Sequence, residues 1–182
     1  MKVIGFGGPS GVGKTTLLEG VIAALAAAGQ RVSVVKHAHK RFDIDHPGKD
    51  SWRHREAGAF EVVVANGWRL AKVREFREEV ELDVHDLLGE LLDCDWALVE
   101  GFKHADLPKV EVWRAALAHP PLYPADPHVV GIAVDEPASL PEPTGRPVWR
   151  LDEPGTIAAW LLASGDRFDY HPEHHLRPFH GR

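Results

Sequence analysis

The chain has 182 residues, 44% hydrophobic and 26% charged, with 17 glycines and 14 prolines; the length suits one compact domain, and the balance excludes a disordered or fibrous chain. The 21 Lys plus Arg stand against 27 Asp plus Glu for a formal net charge of −6, which leaves no overall basic footprint for nucleic acid, so an anion must be gripped locally. A single cysteine, Cys94, forbids an internal disulfide. The longest apolar run, residues 21–28, falls far short of the ~20 residues that span a bilayer, and a cytoplasmic protein, neither exported nor membrane-embedded, is expected.

Residues 2–7, KVIGFG, form a short apolar run that meets a glycine-rich stretch, and LLEGVIAALAAAG then sets Leu18, Val21, Ile22 and Leu25 at helical spacing. Strand, loop and helix are predicted. Gly29 stands where a helix-ending glycine belongs, and RVSVVKH follows as a β-branched run, so a β-α-β unit with a parallel strand pair is expected. After a polar stretch with Pro47 and Gly48, Asp50 is placed to cap a short helix that runs through Ala57 and stops at Gly58. EVVVANGWRLAKVREF holds two extended runs about Asn66-Gly67, the signal of a hairpin closed by a two-residue turn. DVHDLLGELL reads as a helix with Val84, Leu87, Leu88, Leu91 and Leu92 on one face, and WALVEGF as a buried strand. KVEVWR and HVVGIAV read as further strands, followed by a Pro-rich loop over 136–147, the strand VWRL and a last helix near 154–164.

The chemistry gathers at residues 8–15, GPSGVGKT, which fit the pattern G-x-x-x-x-G-K-[ST] between a predicted strand and a predicted helix. In that setting the backbone of Gly8, Ser10, Gly11, Val12 and Gly13 cradles phosphates, aided by the positive end of the helix. Lys14 would reach the β- and γ-phosphates, Thr15 would complete a Mg²⁺ shell, and Thr16 closes the motif. Glu100, which ends the apolar strand WALVE before Gly101, is the candidate second metal acid, because ligands collect at the carboxyl ends of parallel strands. The segment 36–58 is a local basic cluster of Lys36, Lys40, Arg41, Lys49, Arg53 and Arg55 with His37, His39, His46 and His54. It is suited to clamp phosphates, to order itself on a γ-phosphate, or to hold an anionic second ligand, with Asp43 and Asp45 available to the metal. The expected fold is therefore α/β: a P-loop NTPase-like three-layer domain over residues 1–165, with a mostly parallel sheet and an inserted antiparallel hairpin. Residues 166–182 read as an irregular His-rich tail. Its histidines, at 171, 174, 175 and 180, have no acidic or cysteine partner pattern within the segment and read as solvated.

The stretches GPSGVGKTTLL, VVKHAHKRFDIDHPGKDSWRHREAGA, LVEGFK and KVEVWR occur in this order over residues 1–135, and together they resemble the molybdopterin-guanine dinucleotide biosynthesis protein B family, MobB. The resemblance implies a cytoplasmic, homodimeric P-loop protein that binds GTP with Mg²⁺ and hydrolyses it slowly if at all. It also implies assistance to a MobA-like nucleotidyltransferase that attaches GMP to molybdopterin in molybdenum cofactor biosynthesis. Carried over by position, residues 8–16 bind the nucleotide, Lys14 and Asp45 take the catalytic places, and Thr15 and Glu100 hold the metal. Two departures stand out. No N-K-x-D motif reads guanine, and Pro9 stands where related dimeric ATPases carry a lysine that crosses their interface. The rival reading of the residues is a small-metabolite kinase with Arg53 and Arg55 on the transferring phosphoryl group. A nickel-insertion GTPase would need more soft ligands than Cys94 supplies.

Overall fold

The computed structural model describes residues 1–38 and 42–175. In chain order the elements are β1 (Lys2–Gly7), α1 (Lys14–Ala27), β2 (Val32–Lys36), α2 (Asp50–Glu56), β3 (Glu61–Ala65), β4 (Leu70–Arg74), α3 (Val84–Gly89), β5 (Trp96–Glu100), β6 (Lys109–Trp113), β7 (Val129–Val134), β8 (Val148–Arg150) and α4 (Pro154–Ala163). They form two compact units: a larger one from the described residues of Met1–His37 and Asp83–Phe179, and a smaller one from those of Ala38–Leu82.

In the larger unit six strands lie in the order β2-β5-β1-β6-β7-β8, and each neighbouring pair is parallel. A parallel sheet needs cover on both faces, and the strand alternation supplies it. Ile4, Phe6, Trp96, Leu98, Val110 and Val112 pack with Leu18, Val21 and Leu25 of α1 and Ile157 and Leu161 of α4. Val3, Val35, Ala97 and Val99 share the other cluster with Val84 and Leu88 of α3. The expected three-layer α/β arrangement is thus built.

Local chemistry fixes the helix ends. Gly29 (φ 80°) follows α1, its N–H donating to the Ala26 carbonyl at 2.9 Å while the Gln30 N–H donates to Leu25 at 3.1 Å, a Schellman close. Asp83 accepts from the His85 and Asp86 N–H groups and Asp86 returns the bond to the Asp83 N–H, a capping box that starts α3. That helix stops at Gly89, so Leu92, expected on its apolar face, is 89% exposed. Asp50 is not the cap of α2 but its first residue; Lys49 precedes it, with no side-chain bond to the helix.

β6 carries two buried charges, each fully occupied as burial demands. Lys109 Nζ donates to the carbonyls of Lys103 and Ala105 and to Asp126 Oδ2 at 3.1, 2.6 and 3.0 Å. Glu111 accepts from the Leu122 and Tyr123 N–H groups at 2.6 and 2.8 Å. Burial pushes the Glu111 carboxyl above its ordinary range, opposed by those two bonds.

The irregular tail expected from residue 166 is corrected for residues 166–175. A 3-10 turn over Gly165–Phe168 drives Phe168 into the core, 2% exposed, against the rings of Trp96 and Trp160. The Tyr170 N–H donates to the Met1 carbonyl and Lys2 pairs with Asp169 at 2.9 Å. Phe168 and Tyr170 in a polar stretch leave no periodic signal, yet Phe168 reaches the core. His180 lies outside the described residues.

In the smaller unit β3 and β4 pair antiparallel, with Ala65 opposite Leu70. The loop therefore holds four residues, not two. The Asn66 side chain accepts from the Trp68 and Arg69 N–H groups, both at 2.8 Å, and the Asn66 N–H donates to Arg69. Asn66 and Gly67 are not among the residues with positive φ; the asparagine side chain closes the turn in place of a mirror-image backbone.

Candidate nucleotide-binding site

β1 runs in the middle of the sheet, and from its carboxyl end the chain reverses through residues 8–13 into α1. Two features make the reversal possible. Gly8 (φ 146°) passes so close to β6 that any Cβ would collide with the Val112 carbonyl, and Val12, fully buried, pins the loop to the core. Gly13 is the N-cap of α1; it offers no capping side chain, and the first turn has no acidic residue. The leading N–H groups of the helix are thereby left for an anion.

Lys14 folds back over the loop, donating from Nζ to the carbonyls of Gly8 and Pro9 at 3.0 and 2.8 Å. Burial pushes its ammonium below the usual lysine range; Glu100 works against that shift, and Lys36 and Lys103 add to it. A negative charge placed beside this partly desolvated cation would offset that cost.

Strand register supplies the acid. Glu100 stands opposite Phe6 of β1 on one side and Lys36 of β2 on the other, so the side chains meet at one edge. Glu100 Oε1 accepts from the Thr15 hydroxyl at 2.7 Å, Oε2 lies 3.3 Å from Lys36 Nζ, and the residue is 8% exposed. The His37 N–H donates to the Glu100 carbonyl at 3.0 Å, and the His37 ring stacks on Phe102 at 4.6 Å. A hydroxyl and a carboxylate in direct contact beside a phosphate cradle form the hard-oxygen set that Mg²⁺ takes together with phosphate oxygens and water. The residues present fit that ion.

The structure therefore brings together Gly8, Ser10, Gly11, Val12, Gly13, Lys14, Thr15, Thr16 and Glu100. It also adds Arg114, which sequence reasoning passed over: from the end of β6 its Nε donates to the Val12 carbonyl at 2.9 Å, bracing the loop. The available signal was a cation just after KVEVW, a strand end where ligands collect.

Asp45 belongs to the smaller unit. Its Oδ1 accepts from the Ser51 hydroxyl and the His46 N–H, both at 2.9 Å, and its Oδ2 lies 3.3 Å from Arg55 Nε. Arg55, with a side chain 9% exposed, also pairs with Asp43 at 3.0 Å and Glu75 at 2.5 Å. The Asp45 N–H, and then Arg55, hold the Asp43 carboxyl below the usual carboxylate range. Three carboxylates thus occupy the one guanidinium, while Arg53 stays exposed 3.9 Å from Asp50. His39, Lys40 and Arg41 lie outside the described residues.

Comparison with known proteins places the chain in a family. Residues 3–135 match the family model for molybdopterin guanine dinucleotide synthesis protein B. The molybdopterin-guanine dinucleotide biosynthesis adapter protein of Escherichia coli is 41% identical over 143 residues, 77% of this chain and 82% of that protein. Its Haemophilus influenzae namesake is 41% identical over 140 residues, 77% and 78% of the two. The crystal structure of a MobB homologue from Bacillus stearothermophilus superposes with a TM-score of 0.65 at 26% identity, covering 92% of this chain and 99% of that one. Bacillus subtilis MobB, at 24% identity, shares the fold with a TM-score of 0.68 over 90% of this chain and 97% of that one. A phosphate loop at the sheet edge, a strand-end acid against its threonine and a match over most of the length lead to one statement: the chain belongs to the molybdopterin guanine dinucleotide synthesis protein B (MobB) family.

Proposed function

We propose that this chain is a cytoplasmic, homodimeric GTP-binding adapter of molybdenum cofactor biosynthesis, which assists a MobA-like nucleotidyltransferase in converting molybdopterin to molybdopterin guanine dinucleotide. The observation that carries the reading is the meeting of Lys14, Thr15, Glu100 and Lys36 at the carboxyl edge of β1, β2 and β5, in a chain whose relatives are named adapter proteins of this synthesis.

Lys14 trades its two loop carbonyls for phosphate oxygens, and the loop backbone and helix terminus hold the remaining charge. Mg²⁺, when bound by Thr15 and Glu100, supplies charge neutralisation at the β- and γ-phosphates. The Lys36 ammonium, 3.3 Å from Glu100 Oε2, holds that side chain beside Thr15. Asp45 takes a positioning part in this proposal, ordering residues 42–56 through Ser51 and Arg55. Of the two arginines the kinase reading needs, Arg55 is held in ion pairs with Asp43, Asp45 and Glu75, which favours binding with slow hydrolysis over phosphoryl transfer. Nucleotide occupancy acts through differential affinity of the partner for the loaded and unloaded states. The smaller unit, with Val63, Val64 and Leu70 all more than half exposed, offers the apolar surface for the second copy.

Calorimetric titration with GTP and with ATP, each with Mg²⁺, repeated in the presence of molybdopterin or a pterin analogue, tests the reading. GTP preference coupled to the pterin supports it. Equal or ATP-selective binding with no pterin effect overturns it in favour of a kinase.

A further inference from the structure

Away from the nucleotide site, three side chains from distant parts of the larger unit converge: His85 on α3, Asp106 in the β5–β6 connection, and His175 beyond α4. His85 Nε2 lies 2.9 Å from Asp106 Oδ1 and His175 Nδ1 lies 3.6 Å from Asp106 Oδ2. The two imidazoles stack at 4.0 Å, and all three ligand atoms fall within 4.8 Å of one another. The other nitrogen of His85, Nδ1, meets the Tyr170 hydroxyl at 2.8 Å. Asp106 and His175 border a cleft that His171 and His174 also line.

We propose that His85, Asp106 and His175 form a binding site for a divalent first-row transition metal, with Zn²⁺ the best fit. Two imidazoles and one carboxylate are the donors such ions select over Mg²⁺, which prefers oxygen alone. Zn²⁺ has no electronic preference of geometry, so it accepts a three-residue set completed by water or by a neighbouring histidine of the cleft. Tyr170 supplies the partner that a metal-bound imidazole ordinarily has on its second nitrogen: without metal Nε2–H donates to Asp106, and on loading the proton would sit on Nδ1 toward the Tyr170 oxygen, leaving the Nε2 lone pair to the ion. For coordination the two rings turn out of their parallel stack so that their in-plane lone pairs converge, with the three atoms at the ~3.3 Å spacing that bonds of about 2.0–2.1 Å require in a tetrahedron.

Sequence alone could not show this site. The histidines at 171–175 have no metal-binding spacing among themselves, and the acid and the second imidazole come from residues 106 and 85. His175 also lies outside the stretch that matches the family model, residues 3–135. Bound metal would clasp the chain beyond α4 to α3 and to the connection that follows Glu100.

The test uses the full chain, titrated with ZnCl₂ against a competing chromogenic chelator, with thermal unfolding followed in parallel. The expected result is one Zn²⁺ per chain, a rise in unfolding temperature on loading, and affinity at least about tenfold weaker in His85→Gln and His175→Gln. Gln at 85 can still donate to Asp106, so a folded variant is expected, confirmed by its circular dichroism. Lys14→Ala should bind Zn²⁺ as the parent does, which separates this site from the nucleotide site. Full Zn²⁺ affinity in a folded His85→Gln would overturn the proposal. So would loss of binding only when His171, His174 and His180 are replaced together, or several weak ions per chain, since either marks adventitious binding by exposed imidazoles.

Discussion

Strands β5, WALVE, and β3, EVVVA, are both five residues long, and each carries three or four apolar side chains. Every residue of β5 is buried, whereas in β3 only Val62 is partly covered and Val63 and Val64, on opposite faces, are 55% and 51% exposed. The difference is one of neighbours. β5 sits between β1 and β2 with helices over both faces, while β3 has one partner strand and, among the described residues, no third. Apolar composition thus makes a core in one unit and, in the other, an exposed apolar surface.

This contrast yields predictions graded by how much each residue has to lose. Trp96→Ala in β5 should cost about 3–5 kcal/mol of unfolding free energy, the range for emptying a buried aromatic site, measured by denaturant unfolding; a cost below ~1 kcal/mol would mean the sheet core is not the stabilising part. At the edge of the same sheet, Lys14→Ala should keep the fold and lose roughly two orders of magnitude in triphosphate affinity, given ~1.5–3 kcal/mol for each charge-assisted hydrogen bond. Normal affinity by calorimetry in that variant would remove the loop from the function. Its companion, Glu100→Gln, should still bind nucleotide but lose Mg²⁺-dependent hydrolysis, and unchanged turnover would reduce Glu100 to a structural contact of Thr15.

Weaker effects are expected in the smaller unit. The folded Asp43 carboxyl lies below its ordinary value, so the folded state binds its proton less readily than the unfolded chain. The stabilisation it gives is complete above the unfolded carboxylate pKa of ~3.9 and is lost as pH falls through the folded value. Hydrogen exchange followed below pH 4 should show residues 42–75 losing protection on account of Asp43, and Arg55→Ala should produce the same local loss already at neutral pH while β1 and β5 stay protected. Protection lost equally in both units would show that their stabilities are not separable. Smallest of all, Val64→Ser should change the stability of the isolated chain by no more than about 0.5 kcal/mol while weakening self-association in sedimentation; a large loss of stability would place the hairpin in a core after all.

Much of this was legible in the linear order of residues. Alternation in β1 and β5, helical spacing in α1, Gly29 at its close and the string GPSGVGKT each act within a few residues, so strand, loop and helix follow from local sterics and hydrogen bonding. Glu100 could be singled out because an acid ending an apolar strand is conspicuous. The closure of the hairpin was not legible, since the Asn66 side chain competes with the backbone turn that Asn-Gly suggests. Nor was the end of α3 before Leu92, because the apolar spacing continues past the point where the helix stops.

The sequence by itself determined the phosphate loop, its strand and its helix, because their geometry is set by short-range rules that one segment can satisfy alone. Tertiary structure decided the rest: that Lys36 and Thr15 converge on Glu100, that Arg114 braces the loop from β6, that Phe168 turns the terminal segment into core, and that His85, Asp106 and His175 meet. These groups are brought together by sheet order and strand register. Such pairings are fixed by which buried surfaces fit one another across the whole unit, and no local pattern records them.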